Sequence, residues 1–349
     1  MSGFADVSVI VAAYQAAGTI GRTLASIAGQ TLKPREVVVV DDGSADGTMG
    51  VAVAFRSQMN GIELRTFRSD ENQGAGAARN RAIGESTQPY LAFLDADDEW
   101  LPEKLARSMA VLKESGAVLI AHDYITGEGG AARHHHCERR FREGDPFVGL
   151  YRKGYIASCS VVCERAAVIN AGGFDPGLRN AQDFDLWLAM LKNPETRFVV
   201  FDEPLLRYHV TAGGIMSHTR RRLRCALLIA ERYFPDLGQR PGSALMSLWF
   251  RVAALHLEAA RAHAKKGRLF ALLATTALFP FRLVVITAKS LFIRPVPRGS
   301  LFSSEEPVSM DRKYPVTIFL WLWVVAITVA YSWQFLDLFM PILGSLGIR

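Results

Sequence analysis

No pair among the four cysteines, Cys137, Cys159, Cys163 and Cys225, has the CxxC spacing of a zinc knuckle or a thiol redox centre. They read instead as small buried hydrophobes in a reducing compartment. No stretch interleaves aromatic and basic residues as nucleic-acid modules do, so no nucleic-acid partner is expected. A secretory signal is missing too: the first apolar run, Val7 to Ala13, is short, follows Asp6 rather than a basic segment, and ends at Tyr14 and Gln15. The glycine signature of a dinucleotide site is incomplete, because Arg79 stands where Gly74-x-Gly76 would need its third glycine. Net charge is small, a formal +6 over 349 residues, but Lys and Arg gather after about residue 220. A basic tail beside apolar segments points to anionic lipid.

What is present is half hydrophobic and long enough for one large or two ordinary domains. Val7 to Ala13 is a β-branched run of strand length. Thr19 to Ala28 has helical spacing, with Ile20, Leu24 and Ile27 on one face, and Thr31 to Pro34 stops it. Glu36 to Val40 then runs into Asp41-Asp42-Gly43-Ser44. Strand, helix and strand at this spacing predict a βαβ unit and a parallel sheet. Ile62 to Phe67 reads as a further strand, Asn72 to Asn80 opens a helix, and Leu91 to Leu94 is a strand that breaks into Asp95, Asp97 and Asp98. Ala117 to Asp123 and Arg197 to Phe201 are two more.

Ligands of open α/β sheets lie beyond the carboxyl ends of the strands, which puts Asp41, Asp42 and the Asp95–Asp98 cluster on one edge. Carboxylates separated by one residue can converge on a hard cation that keeps positions open for phosphates. The plainer alternative is a solvated acidic turn, with Asp98 capping the helix started by Pro102.

Four blocks in order, Val7 to Tyr14, Asp41 to Thr48, Asn72 to Asn80 and Phe93 to Asp98, resemble the family 2 glycosyltransferases. The resemblance implies an α/β fold of GT-A (nucleotide-diphospho-sugar transferase) type, with a Rossmann-like mixed sheet followed by C-terminal helices. It implies a nucleotide-diphosphate sugar donor, with UDP favoured, a divalent metal such as Mn2+ or Mg2+, and inversion at the anomeric carbon. By that analogy Ala13 and Tyr14 border the nucleoside and Asp41, with Asp42 beside it, reads the base. Arg79 meets the diphosphate or holds the acidic loop. Asp95, Ala96 and Asp97 form the D-x-D, in which Asp97 is the better metal ligand and Asp95 meets ribose or supports the metal. Ala12 stands where the family usually has proline.

Further along, Gln182-Asp-Phe-Asp-Leu-Trp187 matches the family's E-D-x-D-L-W pattern, which makes Asp183 the catalytic base and puts Gln182 in place of the first acid. The bland reading of Asp183 is an acid favoured at a helix start. His209 resembles the histidine that completes the metal or diphosphate site, Arg207 and Arg220 to Arg222 are candidate cations, and Gly213-Gly214 is a candidate lid. Three adjacent histidines cannot all face one ion, so His134 to His136 is expected to be an acceptor-side loop rather than a metal site.

The expected division is a catalytic domain over 1–220, a helical and partly interfacial region over 221–298, a linker over 299–315 and a transmembrane helix over 316–340. Leu269 to Ile293 carries Pro280, Arg282 and Lys289, which suits an interfacial helix. Val316 to Leu336 has no charge and the length of a span. Arg312 and Lys313 before it put the catalytic domain on the cytoplasmic side of the inner membrane. A membrane enzyme of this kind is expected to use a lipid-linked saccharide acceptor in cell-surface polysaccharide assembly. No Q-x-x-R-W block follows Asp183, which favours single addition over polymerisation. Two other readings stand beside this one: a polyprenyl-phosphate sugar synthase, and a non-catalytic sugar-nucleotide-binding component of an assembly complex.

Overall fold

The computed structural model describes residues 3–127, 132–152, 156–209, 218–293 and 295–299. The expected transmembrane helix, the linker from residue 300 onward and the Gly213-Gly214 lid lie outside the described residues.

The first hundred residues alternate strand and helix: β1 (Phe4–Ala13), α1 (Ile20–Ala28), β2 (Lys33–Asp41), α2 (Thr48–Ala54), β3 (Glu63–Arg68), α3 (Ala75–Glu85) and β4 (Tyr90–Phe93). β1 pairs in parallel with β2 and β4, and β2 with β3, as the βαβ spacing predicts. Pro34, expected to lie in the stop after α1, is instead the second residue of β2, a position where proline's missing N–H costs no interior ladder bond.

A short β5 (Glu99–Trp100) leads to α4 (Lys104–Ser115), β6 (Leu119–His122), β7 (Tyr124–Thr126) and β8 (Arg133–His135). The histidine triplet expected in a loop is thus largely strand, because its residues pair across to Tyr124 and Ile125. After α5 (Pro146–Arg152), β9 (Val162–Glu164) enters the main sheet antiparallel between β4 and β6 and makes it mixed. The chain continues through α6 (Arg165–Asn170), α7 (Gln182–Met190), β10 (Phe198–Phe201) and β11 (Leu206–Tyr208) to the helices α8 (Thr219–Tyr233), α9 (Ala244–Lys265), α10 (Leu269–Ala277) and α11 (Phe279–Phe292). The main sheet has the order β10-β6-β9-β4-β1-β2-β3, and a second, smaller one has the order β5-β11-β7-β8.

Strand alternation sends side chains to two cores. Val7, Val9, Val11, Val37 and Val39 pack under α1 and α4, while Ile10, Val38, Val40 and Phe93 pack under α3 and α7. With both faces covered, the middle of β2 is an unbroken apolar run and β1 is interrupted at Ser8, which donates to the buried Glu36. The second core also takes Ile229 and Tyr233 of α8 and Leu248 and Val252 of α9, so the C-terminal helices share it with the sheet.

The apolar segment 269–293 is two helices bent by 46° rather than one. Pro280 explains the break: it has no N–H to continue α10 and suits the first turn of α11. Among the described residues no single helix is long and apolar enough to cross a membrane.

Candidate active site

The parallel strands β2, β1 and β4 bring their carboxyl ends to one edge, with Ala13 opposite Asp41 in the ladder. Asp41 is buried; its Oδ1 accepts from the Ser44 N–H at 3.1 Å. Its Oδ2 has no hydrogen-bond partner among the described residues and lies 3.9 Å from Arg68 Nε. A buried acceptor left open at a sheet edge is suited to a ligand donor. Asp42 is differently placed, since both its oxygens are taken by the backbone of the next block, from Gln73 N–H at 3.0 Å and Gly74 N–H at 2.7 Å. It clamps the start of α3. Gly43 makes that clamp possible: its φ is +74°, and a Cβ there would stand 2.8 Å from the Glu71 carbonyl carbon.

Ala13 is buried and its carbonyl accepts from the Asp42 N–H at 2.8 Å, whereas Tyr14 beside it is exposed. The turn after Tyr14 is tied to the Asp41–Thr48 block by Gln15 N–H to Ser44 Oγ and Ala16 N–H to Thr48 Oγ1. Two blocks distant in sequence therefore form one wall.

The acidic turn after β4 is braced from α3. Arg79 is buried, donates to Asp95 Oδ1 at 2.5 Å and lies over the Phe174 ring. Burial alone would disfavour its charge, but Asp95 and, further off, Asp183 hold its pKa above the ordinary value. Ala96 is buried; Asp97 is half-buried, and its carbonyl accepts from Arg22 Nη2 at 2.8 Å. Asp98, expected to cap the next helix, turns inward instead, because β5 intervenes before α4. Its oxygens accept from the His209 N–H at 2.8 Å and Cys159 Sγ at 3.1 Å. Burial, then Asp95 and Asp97, push its pKa up to about 8.

The metal set expected from the sequence is only partly gathered. Asp95, Asp98 and Cys159 hold potential ligand atoms within 4.8 Å of one another, and Asp97 and His209 are not in that group. His209 Nε2 lies 2.7 Å from Glu99 Oε1, and Glu99 also pairs with Arg22.

Asp183 is in the first turn of α7, half-buried, with Oδ2 accepting from Ser158 Oγ at 2.8 Å and Oδ1 from the Phe184 N–H at 2.9 Å. Each oxygen keeps a lone pair for a proton. The helix is fixed to β4, the strand that leads into the acidic turn, by edge-on packing of Trp187 against Phe93, with ring centroids 5.6 Å apart. Gln182 lies over Gly76, where a Cβ would come 2.4 Å from its Nε2, so α3 and α7 meet closely at their starts.

Ser158, Cys159 and Glu99 were not among the expected site residues. Cys159 accepts from the Asp95 N–H and donates to Asp98, a role its reading as a small hydrophobe missed. The one signal was Ser-Cys-Ser interrupting an apolar stretch.

The sequence profile of glycosyl transferase family 2 matches residues 8–170. The amylovoran biosynthesis glycosyltransferase AmsB of Erwinia amylovora is 27% identical over 249 residues, covering 67% of this chain and 79% of that one. Among solved structures, S. aureus TarS 1–349 in complex with UDP-GlcNAc superposes with a TM-score of 0.58 at 19% identity, over 80% of this chain and 83% of that one. The mannosyltransferase PcManGT from Pyrobaculum calidifontis, in complex with GDP-Man and Mn2+, gives 0.54 at 20% identity, over 82% and 87%. The fold is the mixed α/β GT-A type, a central sheet followed by C-terminal helices.

Proposed function

Because residues 8–170 form a glycosyltransferase family 2 domain, we propose that the chain transfers one sugar, with inversion, from a nucleotide-diphosphate donor to an acceptor hydroxyl. The observation that carries this reading is that adjacent residues tie the two acids together: Ser158 donates to Asp183, Cys159 bonds the Asp95 N–H and Asp98, and the buried Arg79 pairs with Asp95. In the reaction Asp183 takes the acceptor's proton as its oxygen attacks the anomeric carbon. The bond from that carbon to the diphosphate breaks on the opposite face, and the nucleoside diphosphate leaves with the electron pair.

Asp41 receives the nucleobase on its open Oδ2, and Ala13 and Tyr14 border the nucleoside. Ser158 aims Asp183, and Asp42 holds the loop into α3, the helix that carries Arg79. The acidic turn suits a divalent ion: Asp95, Asp97 and Asp98 lie within four residues of chain, and a cation would relieve their mutual repulsion. Asp95 and Asp97 would hold it, with His209 reaching the site after leaving Glu99. Bound Mn2+ or Mg2+ would neutralise charge on the leaving diphosphate. The PcManGT complex with Mn2+ supports such an ion in this fold. The TarS complex with UDP-GlcNAc supports a UDP-sugar donor, and the GDP-Man complex keeps a GDP-sugar in view.

The acceptor is a lipid-linked saccharide of cell-surface polysaccharide assembly. AmsB, a glycosyltransferase of amylovoran biosynthesis, supports that setting. So do the C-terminal helices, where Phe270 and Phe292 are each 82% exposed and a cavity of about 720 Å³ is lined by Arg220, Arg224, Arg282, Leu278 and Ile293, with Glu231 beside Lys289. Cations around an apolar groove match an anionic amphiphile. Membrane attachment through 269–293 and 316–340, with the catalytic domain towards the cytoplasm, completes the proposal.

The deciding experiment is Asp183→Asn, assayed for transfer with UDP- and GDP-sugars and for donor binding by calorimetry. Loss of a general base lowers turnover by about 10²–10⁴, while donor affinity stays within a few-fold. Undiminished turnover would show that Asp183 is not the base; loss of donor binding would place it in the donor pocket.

A further inference from the structure

The hairpin of β7 and β8 carries a second cluster of ligating side chains, apart from the acidic turn. Strand alternation puts His134 and His136 on one side and His135 on the other, where it stacks on Tyr124 with ring centroids 4.5 Å apart. The ladder pairs Tyr124 with His135 and Ile125 with His134, so the next step sets Asp123 opposite His136, on the side of His134. The triplet as a whole cannot face one ion; two of its members and a cross-strand carboxylate can.

The distances bear this out. His134 Nε2 lies 2.9 Å and His136 Nδ1 3.4 Å from the same oxygen, Oδ2 of Asp123. All three ligand atoms lie within 4.8 Å of one another. Ligands 2.0–2.1 Å from a tetrahedral ion are roughly 3.3 Å apart, so small movements suffice to close the set around a cation.

Asp123 is fully buried, and its other oxygen accepts from the Glu138 N–H at 3.0 Å, which fixes the carboxylate and leaves Oδ2 to point at the histidines. Bound carboxylates held in this way are typical of the support around metal ligands. The histidine side chains keep about a third of their surface, 32% and 38%, so a fourth position is open to solvent.

We propose that Asp123, His134 and His136 bind a borderline divalent cation of the zinc class. Two imidazoles and one carboxylate favour Zn2+ over Mg2+ and Ca2+, which prefer all-oxygen sites. This separates the site chemically from the acidic turn. Its consequence is mechanical: the ion pins β8 to the start of β7, β7 pairs with β11, and β11 leads into His209.

The test uses the full chain, stripped with a chelator and reloaded with Zn2+ or Co2+. Wild type retains one equivalent of Zn2+ through gel filtration, X-ray absorption shows nitrogen ligands at about 2.0–2.1 Å, and Co2+ gives a visible ligand-field band. His134→Ala/His136→Ala loses the equivalent and the band, and Asp95→Asn/Asp97→Asn keeps both. Absence of retained Zn2+ in wild type, a spectrum with oxygen ligands only, or undiminished binding by the histidine variant would each overturn the proposal. The wild-type measurements decide the matter even if a variant fails to fold.

Discussion

Lys104 is a buried ammonium with little to hold it. Its Nζ lies 4.1 Å from the Trp100 ring centroid and 3.5 Å from the Val161 carbonyl, and burial pushes its pKa down to about 7. The unfolded chain, with an ordinary lysine near 10.4, binds more protons than the folded one between those values. Stability therefore rises as pH climbs from about 7 towards 10, by at most about 1.4 kcal/mol per pH unit from this group, and the cost of burying the charge is fully present below 7. Because Asp98, with its pKa raised to about 8, pulls stability the other way below that pH, the rise is read as the difference between wild type and Lys104→Met in urea unfolding at pH 6 to 9, the variant gaining most at pH 6. Equal slopes in the two proteins would sink the idea. At this scale the sequence was legible only in residue type. Asp41, Asp42, Asp95 and Asp98 all look like strand-end acids. What separates them is who bonds to them: Asp41 keeps an open oxygen, Asp42 is consumed by the α3 loop, Asp95 pairs with Arg79, and Asp98 reaches His209. Those partners lie up to 111 residues away, beyond the reach of any local pattern.

The helices α3, which carries Arg79, and α7, which carries the proposed base Asp183, meet at their starts through Gly76 and Gln182. Gly76 gives α7 its place because Gln182, itself buried and bonded to the Leu178 carbonyl, occupies the space a Cβ would need. Gly76→Ala gains up to about 1 kcal/mol of helix propensity, yet the flexible end of Gln182 must swing aside and give up its buried bond to the Leu178 carbonyl, and a buried polar group left unpaired costs about 1–3 kcal/mol. The expected net is a loss of stability, relieved when Gln182→Ala is added, so that a double-mutant cycle by urea unfolding returns a coupling energy beyond 0.5 kcal/mol. Additive effects would mean that the two helices do not meet through this pair. The elements themselves were largely readable. Parallel β1, β2 and β3 and the helices α1, α3 and α7 follow from period and spacing, since each has a long run and a clear stop. Three-residue strands such as β8 and β9 were not, because so short a run has no period to detect and depends on its neighbours for pairing. The reading of Gln182 as a lost acid is explained at the same scale: its amide serves the helix contact.

Across the whole molecule, the change of composition near residue 220 suggests a junction, but the packing crosses it. Arg232 of α8 lies 2.8 Å from Asp175 and 2.6 Å from Asp185, and Arg298 reaches Asp185 and the carbonyls of Ala171 and Gly173. Asp185 is two residues from Asp183, so the ion network that fastens the C-terminal helices also seats the helix of the proposed base. Such pairs are invisible to a reading of composition, which registers charge but not its partner. Beyond the network, α10 and α11 expose Leu269, Phe270, Leu273, Leu291 and Phe292, a set too apolar to be an ordinary solvated face. If this face meets lipid, a chain stopped after Gly299 should still float with vesicles containing phosphatidylserine, since the bonds of Arg298 are kept. Phe270→Glu/Phe292→Glu should abolish flotation without changing the unfolding midpoint, because both side chains stand clear of the core. Added salt should weaken wild-type binding through the arginines of the nearby groove. In the shortened chain, flotation unaffected by the glutamates would show that Phe270 and Phe292 do not carry the membrane contact.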